Sequence, residues 1–537
     1  MSHGQNGYAF SMTAVIRHPF IPLAVILLGA MLSACATNPV TGHRELSLVS
    51  ESKEIAIGED NYGYTQQTEG GPYRADPALA AYVARVGGKL AKVSDRPELP
   101  YEFVVLNSPV PNAWALPGGK IAVNLGLLTE LDNEAQLAAV LGHEIVHAAA
   151  RHGARQMERG MVLQAGVSGI GAALGGKGGK LATQAAGVGA KLIHSRYGRD
   201  HELESDHYGM IYMVRAGYDP NAATALQETF VRLSEGRKSS WADGLFASHP
   251  PSRERVEKNR AFAAELNADG IERRIGKTAY QTALKPRMAA KDGFASLSAG
   301  NKALADNDPK SALDHANDAI SSAPEQAAFY DLKGRALMDM DQPKPAADAF
   351  GQAIRRNDGY FAYHLGRGLA QQQNGKLTPA KADLNTSITL LPTVVAHLGL
   401  GEIFRDLGDV DQAILHLGKA SGPGEMGSRA AVELAKLELP RNPARYIAMH
   451  GRMAPDGTLL LTITNRAPIP VQDIRVKVTG KVAGAATTAP IEVHVVGPLK
   501  PGAGITEGVD LDALSRLSGL VGELTLELAV TAATPAP

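Results

Sequence analysis

The apolar residues of this chain follow different periods in different regions, and each period predicts a different kind of element. Residues 131–153 (LDNEAQLAAVLGHEIVHAAARHG) carry apolar side chains at three- and four-residue spacing, which predicts an amphipathic helix. Asp132 or Asn133 can cap its N-terminus, because a short side-chain oxygen accepts hydrogen bonds from the exposed N–H groups there. Two further helices are predicted, one starting near Glu51 and one over residues 77–93.

Short β-rich runs with a period of two predict strands. Tyr101–Leu106 (YEFVVL) is one such run, and Asn112–Leu125 predicts a hairpin that turns at Pro117-Gly118-Gly119. Beyond residue 445, regular short strands separated by turn residues favour a small β-sandwich. These strands are predicted at Thr458–Thr464, Ile474–Val478, Ile491–Val496 and Gly522–Val530.

Residues 285–440 contain an internal repeat. Small residues recur every 34 positions, at Gly300, Gly334 and Gly368 and at Ala312, Ala346 and Ala380, and a fourth unit follows at Gly401 and Ala413. This period, with small residues where helices cross, resembles the tetratricopeptide repeat, an α-solenoid of helix pairs. Such a solenoid can bind extended partners on its concave face, or it can serve only to buttress the rest of the chain.

The helix predicted over residues 131–153 contains a candidate metal site, His143-Glu144-Ile145-Val146-His147. Residues four apart project from the same face of a helix, so both imidazoles can bind one metal ion. Neutral imidazole is a good ligand for zinc, and a catalytic zinc keeps one position open for a water whose pKa it lowers. Glu144 can accept the proton of that water and deliver it to a leaving amine. The motif therefore predicts one Zn²⁺ per chain, with Glu144 as the catalytic base.

A third ligand is predicted from the downstream sequence HELESDH, residues 201–207. Glu202 and Asp206 lie one helical turn apart, so Glu202 can complete a His-His-Glu site while Asp206 hydrogen-bonds the outer nitrogen of a ligand histidine. Glu204 points away from both and is interpreted as a solvated charge. His201 and His207 are interpreted as surface residues rather than ligands.

Together these motifs resemble peptidase family M48, a family of zinc metallopeptidases. The resemblance covers roughly residues 45–265 and is carried by NAWALPGGKIAVNLGLL, HEIVH, SRYGRDHELESDHYGM and RAGYDP. It implies a mainly α-helical domain of the zincin type (a gluzincin) with a small β-sheet. It also implies that His143, His147 and Glu202 bind zinc and that Glu144 is the base.

The same resemblance implies two further roles. In the family, an extended substrate pairs with the strand beside the cleft, so Asn112, Ala113 and Trp114 are candidate substrate-binding residues. Trp114 can instead be a core aromatic. A histidine in an SHP-type segment can occupy the open zinc position in the family, so His249 is a candidate active-site cap. The alternative is a loop histidine beside two prolines.

Residues 1–35 have the pattern of a lipoprotein signal peptide. Their apolar run, from Phe20 to Leu32, is shorter than the ~20 residues of a membrane-spanning helix. The sequence Leu32–Cys35 (LSAC) resembles a bacterial lipobox, which implies that Cys35 is lipidated, and the following Ala36 implies the outer membrane. A signal-anchor helix that ends in an incidental cysteine is the alternative. Because Cys35 is the only cysteine, no disulfide within the chain is expected.

The segment over residues 160–191 is rich in glycine and alanine. It is too rich in glycine for a confident rigid helix and too interrupted for a membrane span. Two interpretations stay open, a mobile flap beside the cleft and a pair of small-residue helices packed on the core.

Length and charge add two limits. At 537 residues the chain is too long for a single core, and its net charge of −1 argues against a nucleic-acid-binding protein. The expected parts are a signal peptide (1–35), a tether (36–50), the metalloprotease domain (51–275), the repeat domain (285–440), the β-sandwich (445–530) and a disordered tail (531–537).

These features predict a zinc-dependent endopeptidase, lipid-anchored through Cys35 to the periplasmic face of a Gram-negative outer membrane. The joining of this protease type to repeats resembles periplasmic proteases that survey outer-membrane protein assembly. This implies misfolded or stalled envelope proteins as substrates, with the repeats binding substrates or the assembly machinery. Two alternatives are a soluble periplasmic enzyme, and a chaperone or adaptor whose metal site is mostly latent.

Overall fold

The structure is a computed structural model of the 537-residue chain that describes residues 35–159, 197–236, 248–456, 458–482, 490–511 and 524–536. The predicted signal peptide, the side chain of Cys35 with its predicted lipidation, and the segment over residues 160–191 lie outside the described residues. The chain divides into two compact units, Met1–Met288 and Ala289–Pro537. Among the described helices, none combines the length and the apolar character that crossing a membrane requires.

The first unit is mainly helical. Its helices are α1 (Glu51–Thr68), α2 (Pro77–Ala91), α3 (Leu125–Leu128), α4 (Glu134–Ala149), α5 (Arg199–Arg215), α6 (Asn221–Gly236), α7 (Arg253–Leu266) and α8 (Lys277–Ala289). Its strands are β1 (Cys35–Thr37), β2 (Arg44–Leu46), β3 (Glu102–Leu106), β4 (Ala113–Leu116) and β5 (Lys120–Asn124). Helices α1, α2 and α4 confirm the three predicted helices. Asn133 caps α4, its side-chain oxygen accepting a hydrogen bond from the backbone N–H of Gln136 at 2.9 Å.

A three-stranded sheet lies beside α4. Its strand order is β3-β5-β4, with β3 parallel and β4 antiparallel to β5. The predicted hairpin is confirmed, and it turns through Gly118 and Gly119, whose φ angles of 77° and 85° favour glycine. Strand β4 packs against α4 and, among the described strands, pairs with β5 alone. It is therefore an edge strand.

The prediction of a tether over residues 36–50 is wrong for the structure described here. Strands β1 and β2 form an antiparallel pair, and Asn38, Val40 and Val49 are buried. The Glu158 carboxylate accepts a hydrogen bond from the Val49 backbone N–H at 2.8 Å, and Arg155 pairs with Glu45 at 2.7 Å. The segment thus packs onto the helical residues 152–159 instead of extending away from them.

The second unit contains helical repeats followed by two sheets. Its helices are α9 (Lys291–Ala305), α10 (Pro309–Ser322), α11 (Ala327–Asp339), α12 (Pro343–Arg356), α13 (Phe361–Gln373), α14 (Leu377–Leu390), α15 (Val394–Asp406), α16 (Val410–Ala420) and α17 (Glu425–Glu438). Its strands are β6 (Ile447–Met453), β7 (Leu459–Asn465), β8 (Val471–Val482), β9 (Ile491–Val495), β10 (Gly504–Val509) and β11 (Leu524–Pro535).

Packing of large side chains over glycines explains the repeat period. A Cβ placed on Gly334 would lie 2.7 Å from the ring of Phe350, and one on Gly401 would lie 2.7 Å from the Leu417 side chain. In each case the glycine belongs to the first helix of a pair and receives a bulky residue from the second. The second unit therefore contains helical repeats of the tetratricopeptide type, as predicted.

The C-terminal strands form two antiparallel sheets, ordered β10-β7-β6 and β11-β8-β9. Their buried residues, including Leu461 of β7 and Val476 of β8, belong to one apolar core. Strands β6 and β10 were not predicted. The prediction of a disordered tail from residue 531 is wrong as far as Pro535, because β11 continues along β8 to that residue. Proline is tolerated there because β11 is an edge strand.

Candidate metal centre

The centre is built where helices α4 and α5 cross. Gly142 on α4 and Gly209 on α5 face each other, and a Cβ on Gly142 would lie 3.1 Å from the Gly209 carbonyl oxygen. Because neither residue has a side chain, the two backbones approach closely. This approach carries Glu202, near the start of α5, to the two histidines of α4.

Four side chains meet there and form a group able to hold a metal ion: His143, His147, Glu202 and His249. One ligand atom from each lies within 4.8 Å of the others. The Nε2 atoms of His143 and His147 are 3.0 Å apart, and each lies 3.5 Å from an oxygen of Glu202. Two nitrogens bound to one tetrahedral zinc would be ~3.3 Å apart, so the spacing suits a single ion.

Asp206 fixes the orientation of His143. Its Oδ1 lies 3.0 Å from Nδ1 of His143, which confirms the predicted contact between Asp206 and a ligand histidine. Burial alone would raise the pKa of Asp206, but Arg255, at 2.7 Å from both carboxylate oxygens, lowers it to about 2. An ionised carboxylate can only accept, so Nδ1 of His143 donates to it and Nε2 is the nitrogen that faces the cluster.

A second chain of hydrogen bonds orients His147. Its Nδ1 lies 2.8 Å from Nδ1 of His152, and Nε2 of His152 lies 3.1 Å from Oε1 of Glu204. Burial lowers the pKa of His152 well below its usual value, so this ring is neutral. It donates through Nε2 to Glu204 and accepts at Nδ1 from His147, which leaves the Nε2 lone pair of His147 facing the cluster.

This chain of hydrogen bonds corrects two sequence interpretations. Glu204 is not a solvated charge, because it pairs with His152 and Arg155. His201 is half-buried and stacks on His152, with 4.2 Å between ring centroids. His207 is exposed, as expected for a surface residue. The hydrogen bond between His152 and His147 was not predicted, because it depends on a turn at Arg151, whose φ is 61°. A non-glycine residue at positive φ leaves no clear local signal in a sequence.

Glu144 lies beside the four ligand groups. It is 2% exposed, and within the described part of the chain its Oε2 has no hydrogen-bond partner. Burial raises the pKa of Glu144, although the nearby His249 and His143 rings partly oppose that rise. A buried carboxylate with a raised pKa and a free oxygen suits a general base. The Nε2 atoms of His143 and His147, 3.0 Å apart beside the Glu202 carboxylate, have the donor types and the spacing that suit one divalent ion, so the residues present fit a divalent metal.

His249 occupies the remaining side of the cluster. Its Nδ1 lies 3.0 Å from Oε1 of Glu202 and 3.4 Å from Nε2 of His143, and its side chain is buried. Its Nε2 is 3.7 Å from Oε1 of Glu144. Arg255 follows on the next helix, and its Nη1 lies 2.8 Å from Oε2 of Glu202. The segment from His249 to Arg255 therefore contacts the site at both ends.

The candidate substrate-binding residues do not lie with their side chains exposed at the metal centre. Asn112, Ala113 and Trp114 are all buried, and Trp114 is only 2% exposed. Its ring packs edge-on against Tyr62, with centroids 6.0 Å apart, inside an apolar cluster. Trp114 is thus a core aromatic, the second of the two interpretations that the sequence left open. Among the described strands β4 pairs with β5 alone, so its other backbone edge is a candidate for pairing with a substrate.

A largely apolar pocket adjoins His143 and Glu144. Its lining includes Leu127, Val140 and Met213, together with Leu226 and Phe230 of α6. An apolar cavity next to Glu144 favours apolar over charged groups.

Known proteins match the first unit. The profile of Peptidase family M48 matches residues 77–263. Mitochondrial metalloendopeptidase OMA1 of Schizosaccharomyces pombe is 33% identical over 230 residues, which are 42% of this chain and 66% of that protein. The beta-barrel assembly-enhancing protease of Escherichia coli is 31% identical over 257 residues, 45% of this chain and 51% of that protein. The chain thus covers between half and two thirds of these relatives.

A solved structure is similar to part of this chain. The thermophilic TPR protein TTC0263 of Thermus thermophilus is 19% identical with a TM-score of 0.25, over 39% of this chain and 98% of its own.

The match to the profile of Peptidase family M48 includes His143, His147, Glu202 and His249, the four residues that meet in the structure. This chain therefore carries a metalloprotease domain of peptidase family M48.

Proposed function

We propose that this chain is a zinc endopeptidase of the bacterial cell envelope that cleaves misfolded or stalled envelope proteins. The observation that supports this most directly is the pair of Nε2 atoms of His143 and His147, 3.0 Å apart beside Glu202 and the unpartnered oxygen of Glu144. The Escherichia coli relative named beta-barrel assembly-enhancing protease supports the choice of substrate class.

The proposed chemistry assigns one task to each residue. His143, His147 and Glu202 would hold a zinc ion, which supplies an electrophile for the scissile carbonyl and acidifies a water. Glu144 accepts the proton of the attacking water and returns it to the departing nitrogen. Asp206 keeps the Nδ1 proton on His143, so that its Nε2 stays available as a ligand. The apolar pocket beside Glu144 receives a substrate side chain.

Glu144→Gln is the central test. The amide keeps the size of the side chain but cannot take up a proton, so casein cleavage should fall by about 10³-fold while zinc content is unchanged. Exposed Glu257→Gln on α7 is the matched control and should retain full activity. Wild-type turnover by purified Glu144→Gln protein would refute the assignment.

The envelope location is part of the same proposal. It rests on the lipobox-like sequence that ends at Cys35, which implies a lipid anchor in the outer membrane, and on the bacterial relatives. We further propose that the helical repeats bind substrates or assembly partners, and that the two C-terminal sheets form a β-sandwich used for interaction or spacing.

A second candidate function is a chaperone or adaptor whose metal site is mostly latent. The position of His249 favours it, because a fourth protein ligand would fill the place that a catalytic zinc leaves open for water. A Glu144→Gln strain that still corrects an envelope-stress phenotype would support this candidate over the protease.

His249→Ala tests whether the site is capped. If only a minor uncapped population is active, removal of the imidazole should raise casein cleavage by about tenfold. Exposed His207→Ala serves as the control and should leave the rate unchanged. Unchanged or lower activity of His249→Ala would contradict the cap.

A further inference from the structure

A groove of about 810 Å³ lies across helices α11, α12 and α13 of the repeats. Five cationic side chains line it, at Lys333, Lys344, Arg355, Arg367 and Lys376, against the single carboxylate of Asp348. The net charge of the whole chain is only −1, so this groove is a local concentration of positive charge. Such a concentration attracts anionic partners.

Two guanidinium groups converge on the wall of the groove. The Nη1 atoms of Arg355 and Arg367 lie 3.7 and 3.8 Å from the place that a Cβ of Gly351 would occupy. Because Gly351 has no side chain, the space in front of both groups stays open. Asp383 holds Arg367 with hydrogen bonds of 2.7 and 2.6 Å, which fixes its orientation.

Three of the five cations are available to bind a partner. Within the described residues, Lys344, Arg355 and Lys376 form no ion pair, and all three are exposed. Cations that already have protein carboxylates would have to give them up before binding an external anion. These three would not, so their charge is available to an incoming carboxylate.

The groove also has apolar surface. Ile320 and Pro345 lie along it together with the cationic residues. A phosphate ion gains nothing from apolar contacts, whereas a polypeptide can bring both acidic and apolar side chains to the groove. Cations and apolar surface together therefore suit an extended polypeptide with acidic side chains.

We propose that this groove binds an acidic, extended segment of a partner polypeptide. The inference gives a chemical identity to the partner of the repeats, and in that respect it rests on the proposed function. It does not depend on the metal centre. Binding can therefore be measured when catalysis is absent.

The test uses the full chain with Glu144→Gln, so that the probe is not cleaved. A fluorescein-labelled peptide of six Glu-Ala units is titrated, and its anisotropy is recorded. The triple variant Lys344→Gln, Arg355→Gln, Lys376→Gln should weaken binding by about tenfold or more, and added salt should weaken binding to the unsubstituted groove. All three residues are exposed, so the fold should persist.

A control triple variant makes the same charge change outside the groove, at the exposed residues Lys291, Lys310 and Lys419. It should bind the peptide within about twofold of the unsubstituted chain. Equal losses in both triple variants would overturn the proposal. So would equal affinity for a peptide of six Gln-Ala units, or binding only to phosphatidylglycerol vesicles. A wild-type chain that fails to cleave casein with zinc present would refute the protease while leaving this result intact.

Discussion

At the residue scale, the metal site depends on which nitrogen of each imidazole carries the proton. His143 donates through Nδ1 to Asp206, and His147 donates through Nδ1 to His152. Both Nε2 atoms thereby face the same point. The first partner could be predicted, because Glu202 and Asp206 lie one turn apart on the same helix. The second could not, because His152 reaches His147 only through the left-handed backbone of Arg151.

The Glu204→Gln substitution should weaken zinc binding by about tenfold. The amide accepts more weakly than the carboxylate, so His152 is held less firmly as the acceptor for His147. Competition against a chelating dye at fixed pH measures this affinity. Asp200→Asn, at an exposed position on the same helix, is the control. An equal loss in both variants would show that general charge, and not the contact with His152, is responsible.

At the element scale, the close crossing of α4 and α5 determines whether Glu202 reaches the histidines. The sequence predicted α4 from its period and cap, and it predicted the later motif as helical. It gave no measure of the separation between the two helices, which depends on Gly142 and Gly209 meeting across the crossing. Strands β6 and β10 were missed for a local reason, since IAMHGRM does not alternate clearly and GITEGV contains two glycines.

Gly209→Val should impair metal binding more than it impairs folding. A Cβ there would lie 3.1 Å from the backbone nitrogen of His143, so the added methyl groups would push α5 away from α4. We expect a loss of about 1–3 kcal/mol in stability. We also expect weaker zinc binding, measured by chelator competition. Gly63→Val is the control, because nothing lies within 4 Å of a Cβ on this exposed helical residue. Unchanged zinc affinity in Gly209→Val would contradict this account of the crossing.

At the scale of the whole molecule, the second unit contains a pair of neighbouring histidines that is separate from the candidate metal centre of the first unit. In the second unit, Nδ1 of His397 on α15 lies 3.0 Å from Nδ1 of His416 on α16. Burial, and then the nearby His416 and Lys419, lower the pKa of His397 to about 4. Burial also lowers the pKa of His416. The period of 34 residues predicted that these helices would pair, but it did not indicate that two histidines would meet between them.

Acidification should therefore destabilise the repeats. A histidine with a depressed folded-state pKa is fully compatible with folding above its unfolded pKa of about 6.5, and stability is lost as pH falls from there towards about 4. At pH 5 the loss should be about 1–2 kcal/mol. Urea midpoints at pH 7 and pH 5, followed by circular dichroism, measure it. His397→Asn should show a smaller difference between the two pH values, whereas exposed His450→Asn should match the wild type. Equal pH dependence in all three proteins would rule out this histidine pair as the cause.

Among the described strands, β4 pairs along one edge only, with β5, and its side chains are all buried. A guest chain aligned there would meet N–H and C=O groups, which every polypeptide presents alike. Recognition of that kind discriminates by conformation, since natively folded polypeptides have already committed most of those groups to their own sheets and helices. Binding along β4 would thus depend on whether the substrate is unfolded, and not on its sequence.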